Sequence, residues 1–313
     1  RLVGSERCIR ARGRVGPGEL IAVNYQEKKF YKSDELKKIL SQRQDYSEWN
    51  KKTINLDNIL AEKQISQPKE AIDQKYYQLA KSFNLSFETL DLILDPMVKT
   101  GQEATGSMGD DTPLSVLTER YRGLHSFFKQ NFSQVTNPPI DSLREQVVMS
   151  LKTRLGNLGN IAEEDSEQCN LVLLQSPILL DNELETLKEH LGQLTTEIDC
   201  TYDRNDETNF LNEIQRICSE AEQAVRSGSQ HLIISDKNVN KDRISLPMIL
   251  ATSAVHSYLI KNNLRTFTSL NVSSLECLDV HYFAVLIGVG ATTVNAALIE
   301  KIVCDRLNLS LIH

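Results

Sequence analysis

The feature that most constrains the fold is a change of hydrophobic period near residue 166. Up to that point apolar residues recur mainly at helical spacing, and beyond it short apolar runs alternate with amphipathic helical segments. This alternation occurs about five times with short loops, which is typical of parallel strands joined by right-handed crossovers. Five units are too few for a complete eight-fold barrel. We therefore predict an α/β fold with a helical N-terminal part, followed by about five βα units that form an incomplete barrel or an open parallel sheet.

The pattern also predicts three parts of the chain. Residues 1–25 read as short strands and a turn at Gly16–Gly18, residues 26–165 as mainly helical, and residues 166–313 as the βα repeats. We expect residues 50–70 to be a linker and the least ordered part, because apolar periodicity is weak there. Strands are predicted at 170–174, 195–200, 231–235, 266–272 and 292–295, and helices at 33–42, 72–83, 86–94, 182–191, 210–225, 246–260 and 277–287, with Gly228 ending the helix at 210–225.

Two conformationally restricted loops stand out within the helical part. The first, GSMGDDTP at residues 106–113, has two glycines, two adjacent carboxylates and a proline. Thr112 and Pro113 have the chemistry of a helix start, so we predict an amphipathic helix that continues to about Gln130. The second loop, VTNPPI at residues 135–140, ends that helix, and Asp141 is predicted to cap the next one. A structural corner is the simplest interpretation of such turn residues.

Charge and cysteine usage exclude several function classes. The net charge of −7 argues against nucleic-acid and anionic-membrane partners. Six cysteines and six histidines are scattered without metal-binding spacing, so we expect no metal site, and reduced thiols in the cytoplasm or a comparable compartment. No signal peptide is visible, and the start at Arg1 rather than methionine suggests a piece of something longer.

Few residues of the βα part have the pattern of a catalytic site. Asp199, Asp236 and Asn271 fall near the carboxyl ends of predicted strands, where α/β sites gather, although a carboxylate there is more often a helix cap. The segment Gly288–Gly290 has two interpretations, a turn whose backbone amides bind phosphate and an ordinary tight turn. The default for the two helical histidines, His256 and His281, is a packed, hydrogen-bonded side chain. Ser107 and Ser253 lack the context of a serine hydrolase.

Long stretches resemble the central region of the large chain of glutamate synthase. These are GSMGDDTP at 106–113, FFKQNFSQVTNPPID at 127–141 and LKTRLGNL at 151–158, together with ATSAVHS at 251–257, LRTFTSLNV at 264–272 and HYFAVLIGVGA at 281–291. The resemblance covers nearly the whole chain. It implies that residues 1–25 are the end of a glutamine amidotransferase domain, and that the rest is a central domain of α/β type.

The resemblance also implies what lies elsewhere. Such enzymes assimilate nitrogen by hydrolysing glutamine, passing ammonia through a tunnel to a flavin barrel, and reducing the product formed with 2-oxoglutarate to glutamate. This chain lacks clustered cysteines. We therefore expect no cofactor on this chain, with FMN and an iron–sulfur cluster in the missing part of the parent enzyme. The partners implied are the glutaminase and FMN domains of the same polypeptide, and either ferredoxin or reduced nicotinamide via a second subunit. The implied location is the cytoplasm, or the plastid stroma of a plant.

No catalytic residue is assigned to the chain, and the implied role is connection and ammonia channelling. By resemblance, Met108, Thr136 and Asn137 line or constrict the tunnel. The interdomain loops would contribute Gly106, Ser107, Gly109, Asp110, Asp111, Pro138 and Pro139. Two alternatives stay open: an autonomous α/β enzyme with a site at the strand ends around Asp199 and Asp236, and a purely structural spacer.

Overall fold

The computed structural model describes residues 13–62, 74–101, 116–117, 119, 122–129, 131, 139–205 and 210–308. The chain divides into two compact units, residues 1–51 and 52–313.

The first unit contains one small antiparallel ribbon and two helices. Strand β1 (Ala22–Asn24) pairs with β2 (Lys29–Tyr31), and helices α1 (Ser33–Ser41) and α2 (Tyr46–Asn50) follow. A turn forms at residues 17–18, within the predicted Gly-Pro-Gly segment.

The second unit begins with short elements that lie in the predicted linker. Strand β3 (Ile54–Asn55) leads into α3 (Leu56–Glu62), and Leu56 and Ile59 are buried in a hydrophobic cluster. The expectation of a poorly ordered linker is therefore wrong for residues 52–62, because Leu56 and Ile59 pack into a cluster formed with residues far along the chain. The remainder of the predicted linker, residues 63–70, falls outside the described residues.

The helices predicted at 72–83 and 86–94 are present, and a further helix continues beyond the predicted end at residue 94. Helix α4 (Gln74–Ser82) is followed by α5 (Phe87–Thr89), a π-helical turn (Leu90–Leu94) and α6 (Asp95–Thr100). The Ser86 side chain accepts a hydrogen bond from the Thr89 amide, so it caps α5 as a helix-starting serine does.

The amphipathic helix predicted up to Gln130 is not present where the chain can be described. Residues 124–127 form one 3-10 turn, flanked by Gly123 with ψ 142° and Phe128 with ψ 132°. These extended residues end the turn on both sides, so the apolar spacing does not produce a longer helix. Helix α7 (Ser142–Val148) then starts at Asp141, whose carboxylate accepts the amide hydrogens of Leu143 and Arg144, as predicted.

The remaining elements form the α/β part, in good agreement with the predicted pattern. In order they are β4 (Thr153–Leu155), β5 (Val172–Leu174), α8 (Asp181–Leu191), β6 (Thr195–Asp199), β7 (Thr201–Asp203), α9 (Phe210–Arg226), β8 (His231–Ser235), β9 (Arg243–Ser245), α10 (Met248–Lys261), β10 (Ser269–Ser273), α11 (Val280–Gly288), β11 (Thr293–Asn295) and α12 (Ala297–Asn308). Gly228 follows α9 with φ +101°, the conformation predicted to end that helix.

The central element is an open parallel sheet of four strands in the order β11-β10-β8-β6. This confirms the α/β fold class and the open-sheet alternative. The first of the five predicted strands, β5, instead pairs in parallel with β3 and antiparallel with β4 in a separate small sheet. Only three residues long, β5 follows the same apolar pattern as the central strands, so sequence alone does not show which sheet it joins.

The core lies on both faces of this sheet. Leu232 and Ile234 of β8 belong to a cluster that includes α9, α10 and α11, whereas Ile233 belongs to a second cluster that includes α3 and α8. Successive strand residues point to opposite faces, which is why the consecutive residues Leu232, Ile233 and Ile234 are all apolar and buried. A third cluster joins the helices α4–α6 to α12.

A buried ion pair fixes α6 to α12. The guanidinium of Arg306 on α12 contacts both carboxylate oxygens of Asp95, and these two side chains are only 9% and 10% exposed. Asp91, which is 65% exposed, contacts the same guanidinium at 3.1 Å. Removing the partner of a buried charge is costly, whereas an exposed pair contributes little.

We predict that Asp95→Asn lowers the free energy of unfolding by about 3 kcal/mol, because it leaves a buried guanidinium without its main counter-charge. Asp91→Asn is the matched control and should cost about 0.5 kcal/mol. Urea unfolding of the two variants measures the difference. Equal losses would show that burial does not decide the strength of this contact.

Candidate functional site

The carboxyl edge of the parallel sheet is the most polar buried region of the described chain. Asp236 follows β8, Glu276 follows β10, and both are buried, with exposures of 0% and 8%. In open α/β sheets this edge is where ligands bind. It is therefore the place to ask whether the chain has chemistry of its own.

Asp236 holds the loop that follows β10. One carboxylate oxygen accepts the Leu275 amide at 2.7 Å, and the other is 3.5 Å from the Ser274 hydroxyl. Burial raises the pKa of Asp236 to about 7; the Leu275 amide opposes this rise and the nearby Glu276 carboxylate adds to it. A carboxyl group with no exposed surface cannot meet a substrate, so its role here is to fix the loop.

Asp199 lies at the same edge, at the end of β6, and is also fully engaged. It accepts hydrogen bonds from the amide and hydroxyl of Thr201, from Asn238 and from the guanidinium of Arg243. Partial burial alone would raise the pKa of Asp199, but the hydrogen bonds from Thr201 and Asn238 outweigh it and lower the pKa. The third candidate, Asn271, lies inside β10 and bridges the Leu232 carbonyl and the Thr293 hydroxyl. All three candidates hold neighbouring strands and loops together.

A cavity of about 210 Å³ lies where the loop after β10 meets residues 83–94, which run from the turn after α4 to the end of the π-helical turn. Its polar lining comes from Asn84, Thr89, His125, Glu276 and Asp279. Both carboxylates in this lining act as helix caps, because Glu276 accepts a hydrogen bond from the Met248 amide at 3.0 Å and Asp279 accepts one from the Tyr282 amide at 2.7 Å.

His125 and His281 join the 3-10 turn to the start of α11. Nε2 of His281 lies 2.9 Å from the carbonyl oxygen of His125, and the ring of His125 packs against that of Tyr282 with centroids 4.8 Å apart. The buried Nδ1 atoms of both histidines have no hydrogen-bond partner among the described residues. Burial lowers the pKa of His125, and the proximity of His281 adds to this, whereas Asp279 opposes it. His125 therefore favours the neutral form.

The residues predicted to line a tunnel sit on either side of this turn in the sequence. Met108, Thr136 and Asn137 fall outside the described residues. So do the loop residues Gly106, Ser107, Gly109, Asp110, Asp111 and Pro138. Pro139 is described and exposed, two residues before the cap Asp141. The structure describes residues 122–129, which lie between the two loops in the sequence and pack against α11.

The remaining sequence candidates have structural roles. Gly290 has φ +121°, and a Cβ there would lie 2.3 Å from the ring of His256, so the position requires glycine. Arg265 donates to His256 Nδ1 at 3.0 Å and to the Gly290 carbonyl at 2.9 Å. This confirms the tight turn and the hydrogen-bonded His256. Ser253 lies within α10.

Sequence reasoning did not single out His125, Glu276 or Tyr282. The apolar spacing assigned His125 to an amphipathic helix. Glu276 directly precedes the helix predicted at 277–287, which in the structure starts at Val280. No spacing rule connects residue 125 with residue 281, because their contact is made only by folding.

The described side chains do not fit an iron–sulfur cluster. The described cysteines are Cys169, Cys200, Cys218, Cys277 and Cys304, on different elements. Within the described ranges, no three side chains of His, Cys, Asp or Glu converge as a metal site requires. No helix among the described residues is long and apolar enough to cross a membrane.

Comparison with known proteins defines the relationship. Residues 78–310 match the glutamate synthase central domain, and residues 3–49 match class-II glutamine amidotransferases. The NADPH glutamate synthase large chain of Azospirillum brasilense is 50% identical over 96% of this chain and 20% of that protein. The NADH glutamate synthase of Saccharomyces cerevisiae is 37% identical (89% of this chain, 14% of that protein), and the ferredoxin-dependent chloroplastic enzyme of Spinacia oleracea is 36% identical (92% and 18%).

The fold and the carboxyl edge of its parallel sheet define the class of this domain. An open parallel sheet with buried faces, and with edge carboxylates used as caps, is an α/β domain in which the candidate catalytic residues are structural. The family match makes this specific: the chain belongs to the glutamate synthase central-domain family, with a short amidotransferase tail at its amino end. It spans a fifth or less of the length of these relatives.

We predict that Asp236 makes stability fall between about pH 4 and pH 7. The unfolded chain releases this proton near the ordinary carboxyl pKa, whereas the folded chain holds it to about pH 7. The folding free energy from this group is therefore present below pH 4 and lost as the pH rises to 7, by at most about 1.4 kcal/mol per pH unit. An asparagine at this position would not titrate, yet its side-chain oxygen can still accept the Leu275 amide.

The measurement is urea unfolding at pH 4 to 8. Relative to the wild type, Asp236→Asn should gain stability by a few kcal/mol across this range. Asp199→Asn is the control. The pKa of Asp199 is lowered, so its titration lies below this pH range and its difference from the wild type should stay flat. A flat difference for Asp236→Asn would contradict the assignment of a buried, protonated carboxyl group.

Proposed function

We propose that this chain is the central, non-catalytic connecting domain of a glutamate synthase, the enzyme that converts glutamine and 2-oxoglutarate into two molecules of glutamate. In this role it links a glutaminase domain to an FMN domain and helps to line the ammonia passage between them. The observation that carries the proposal is the order of the two matches along the chain, an amidotransferase tail at residues 3–49 and the central domain at residues 78–310.

The contacts made by the acids at the carboxyl edge of the sheet support a connecting role. Asp236 is buried, Asp199 is held by Arg243 and Asn238, and Glu276 caps α10. These are the groups that an autonomous α/β enzyme would use, and each is occupied by a contact that maintains the fold. No observation favours the alternative of an independent enzyme.

The loops are the part of the chain proposed to meet ammonia. An ammonia passage needs a stiff wall, because a wall that opens would release ammonia into water. The loop at 106–111 is followed by Pro113, and the loop at 135–139 ends in Pro138 and Pro139, residues that restrict the backbone. Met108, Thr136 and Asn137 are the proposed lining residues.

The cofactors and partners follow from this role. FMN, an iron–sulfur cluster and the electron donor, whether ferredoxin or reduced nicotinamide, would belong to other parts of the parent enzyme. The relatives' names include NADPH, NADH and ferredoxin forms. The proposed location is the cytoplasm, or the plastid stroma in a plant.

We predict that the isolated chain neither binds FMN nor releases ammonia from glutamine in the presence of 2-oxoglutarate. Flavin fluorescence titration and an ammonia assay measure this, with an added glutaminase as the positive control for the assay. Flavin binding or ammonia release by the chain would contradict the non-catalytic role and favour the autonomous enzyme.

We predict that Met108→Ala in the parent enzyme uncouples its two reactions, because removing the side chain widens the passage and ammonia escapes. Glutamine hydrolysed should then exceed glutamine-derived nitrogen delivered to 2-oxoglutarate. Met149→Ala is the matched control, since Met149 is 65% exposed and lies just after α7, outside both loops. Normal one-to-one coupling in Met108→Ala and in the equivalent Thr136 and Asn137 variants would favour a purely structural spacer.

A further inference from the structure

The segment at residues 122–129 is a preformed unit with few attachments to the sheet. Its turn is closed by the Ser126 amide and hydroxyl, both donating to the Gly123 carbonyl, and by the Phe128 amide donating to the His125 carbonyl. Arg122 donates to the Ser126 hydroxyl at 3.2 Å, and its guanidinium lies 5.4 Å from the centre of the Phe127 ring. These contacts shape the segment but do not place it.

The placement comes from helix α11. The His125 carbonyl accepts a hydrogen bond from His281 Nε2 at 2.9 Å, which requires the proton to be on Nε2 of His281. The His125 ring packs on Tyr282, a side chain with 0% exposure. Leu124 adds an apolar contact with the main core cluster.

Gly123 lets His125 adopt this position. A Cβ at Gly123 would lie 2.5 Å from the His125 ring, so any larger residue would push the ring away from Tyr282. Gly123 has φ −56°, so it is the space, and not an unusual backbone conformation, that calls for glycine here.

The two ends of this segment lead to the two loops. Upstream, residues 112–121 separate it from Gly106–Asp111, and downstream residues 130–134 separate it from Val135–Pro139. The segment therefore lies between the two loops along the chain.

We propose that His281 is a positioning residue that clamps the 122–129 segment onto the carboxyl edge of the sheet, and that coupling in the parent enzyme requires this clamp. Its effect on coupling rests on the proposed function, but the clamp itself does not. His281 touches the His125 carbonyl, not a substrate, and it acts through the segment that carries the loops.

The clamp is tested by hydrogen exchange of the Ser126 and Phe128 amides in this chain, for His281→Leu and His281→Gln. His281→Leu removes the donor, so we expect exchange about tenfold faster, which corresponds to about 1.4 kcal/mol. The amide of Gln can still donate to the carbonyl, so His281→Gln should restore most of the protection. His190→Leu is the matched control, because His190 is exposed in the last turn of α8. Protection of the β8 amides in each variant verifies that the sheet remains folded.

Unchanged exchange in His281→Leu, or equal loss of protection in the Leu and Gln variants, would overturn the clamp. Its consequence is tested by the ratio of glutamine hydrolysed to glutamate formed in the parent enzyme. A raised ratio in His281→Leu with recovery in His281→Gln supports the positioning role. The positioning role is overturned if His281→Leu shows faster exchange and a normal ratio of glutamine hydrolysed to glutamate formed, while Met108→Ala is uncoupled. If Met108→Ala is also coupled normally, the clamp stands and the proposed function of the loops has failed.

Discussion

Burial of both faces of the four-stranded parallel sheet is the constraint on which the rest of the second unit depends. Within β8, Leu232 and Ile234 pack on one side and Ile233 on the other. Several buried polar groups lie at the carboxyl ends of the strands, where they hydrogen-bond with the loops. The loop after β10 is fixed in this way by Asp236, and the same loop supplies the cap of α10 and the start of α11.

In this arrangement the acids at the carboxyl edge of the α/β sheet hold neighbouring backbone. The start of α11 carries His281 and Tyr282, and these receive a segment of the helical part of the chain. The edge that binds ligands in many α/β folds here binds a piece of the same polypeptide. Under the proposed connecting role, this internal attachment holds in place the segment that lies between the two loops in the sequence.

The sequence predicted the regular elements well because their signals are local. The run of β8 is buried at every position, and α9 combines a strong amphipathic pattern with Gly228 at its end. Asp141 was identified as a cap from residue type alone. Local signals failed at the predicted linker, where residues 54–62 form β3 and α3, and in three other places. At residues 122–129, Gly123 and Phe128 are extended although the apolar spacing is helical. The sheet that β5 joins and the contact of His125 with His281 depend on residues far apart in the chain, which no periodicity reveals.

The most direct test of the account follows the nitrogen itself. A parent enzyme containing this chain would be given glutamine labelled with ¹⁵N in the amide, 2-oxoglutarate, and an excess of unlabelled ammonium, and the label in the new glutamate would be measured by mass spectrometry. The account predicts undiluted label in the wild type, and dilution by external ammonium when Thr136 is replaced by glycine in the loop at 135–139. Undiluted label in the Thr136→Gly enzyme, together with a matching result for Met108→Ala, would contradict the claim that these loops wall the ammonia passage.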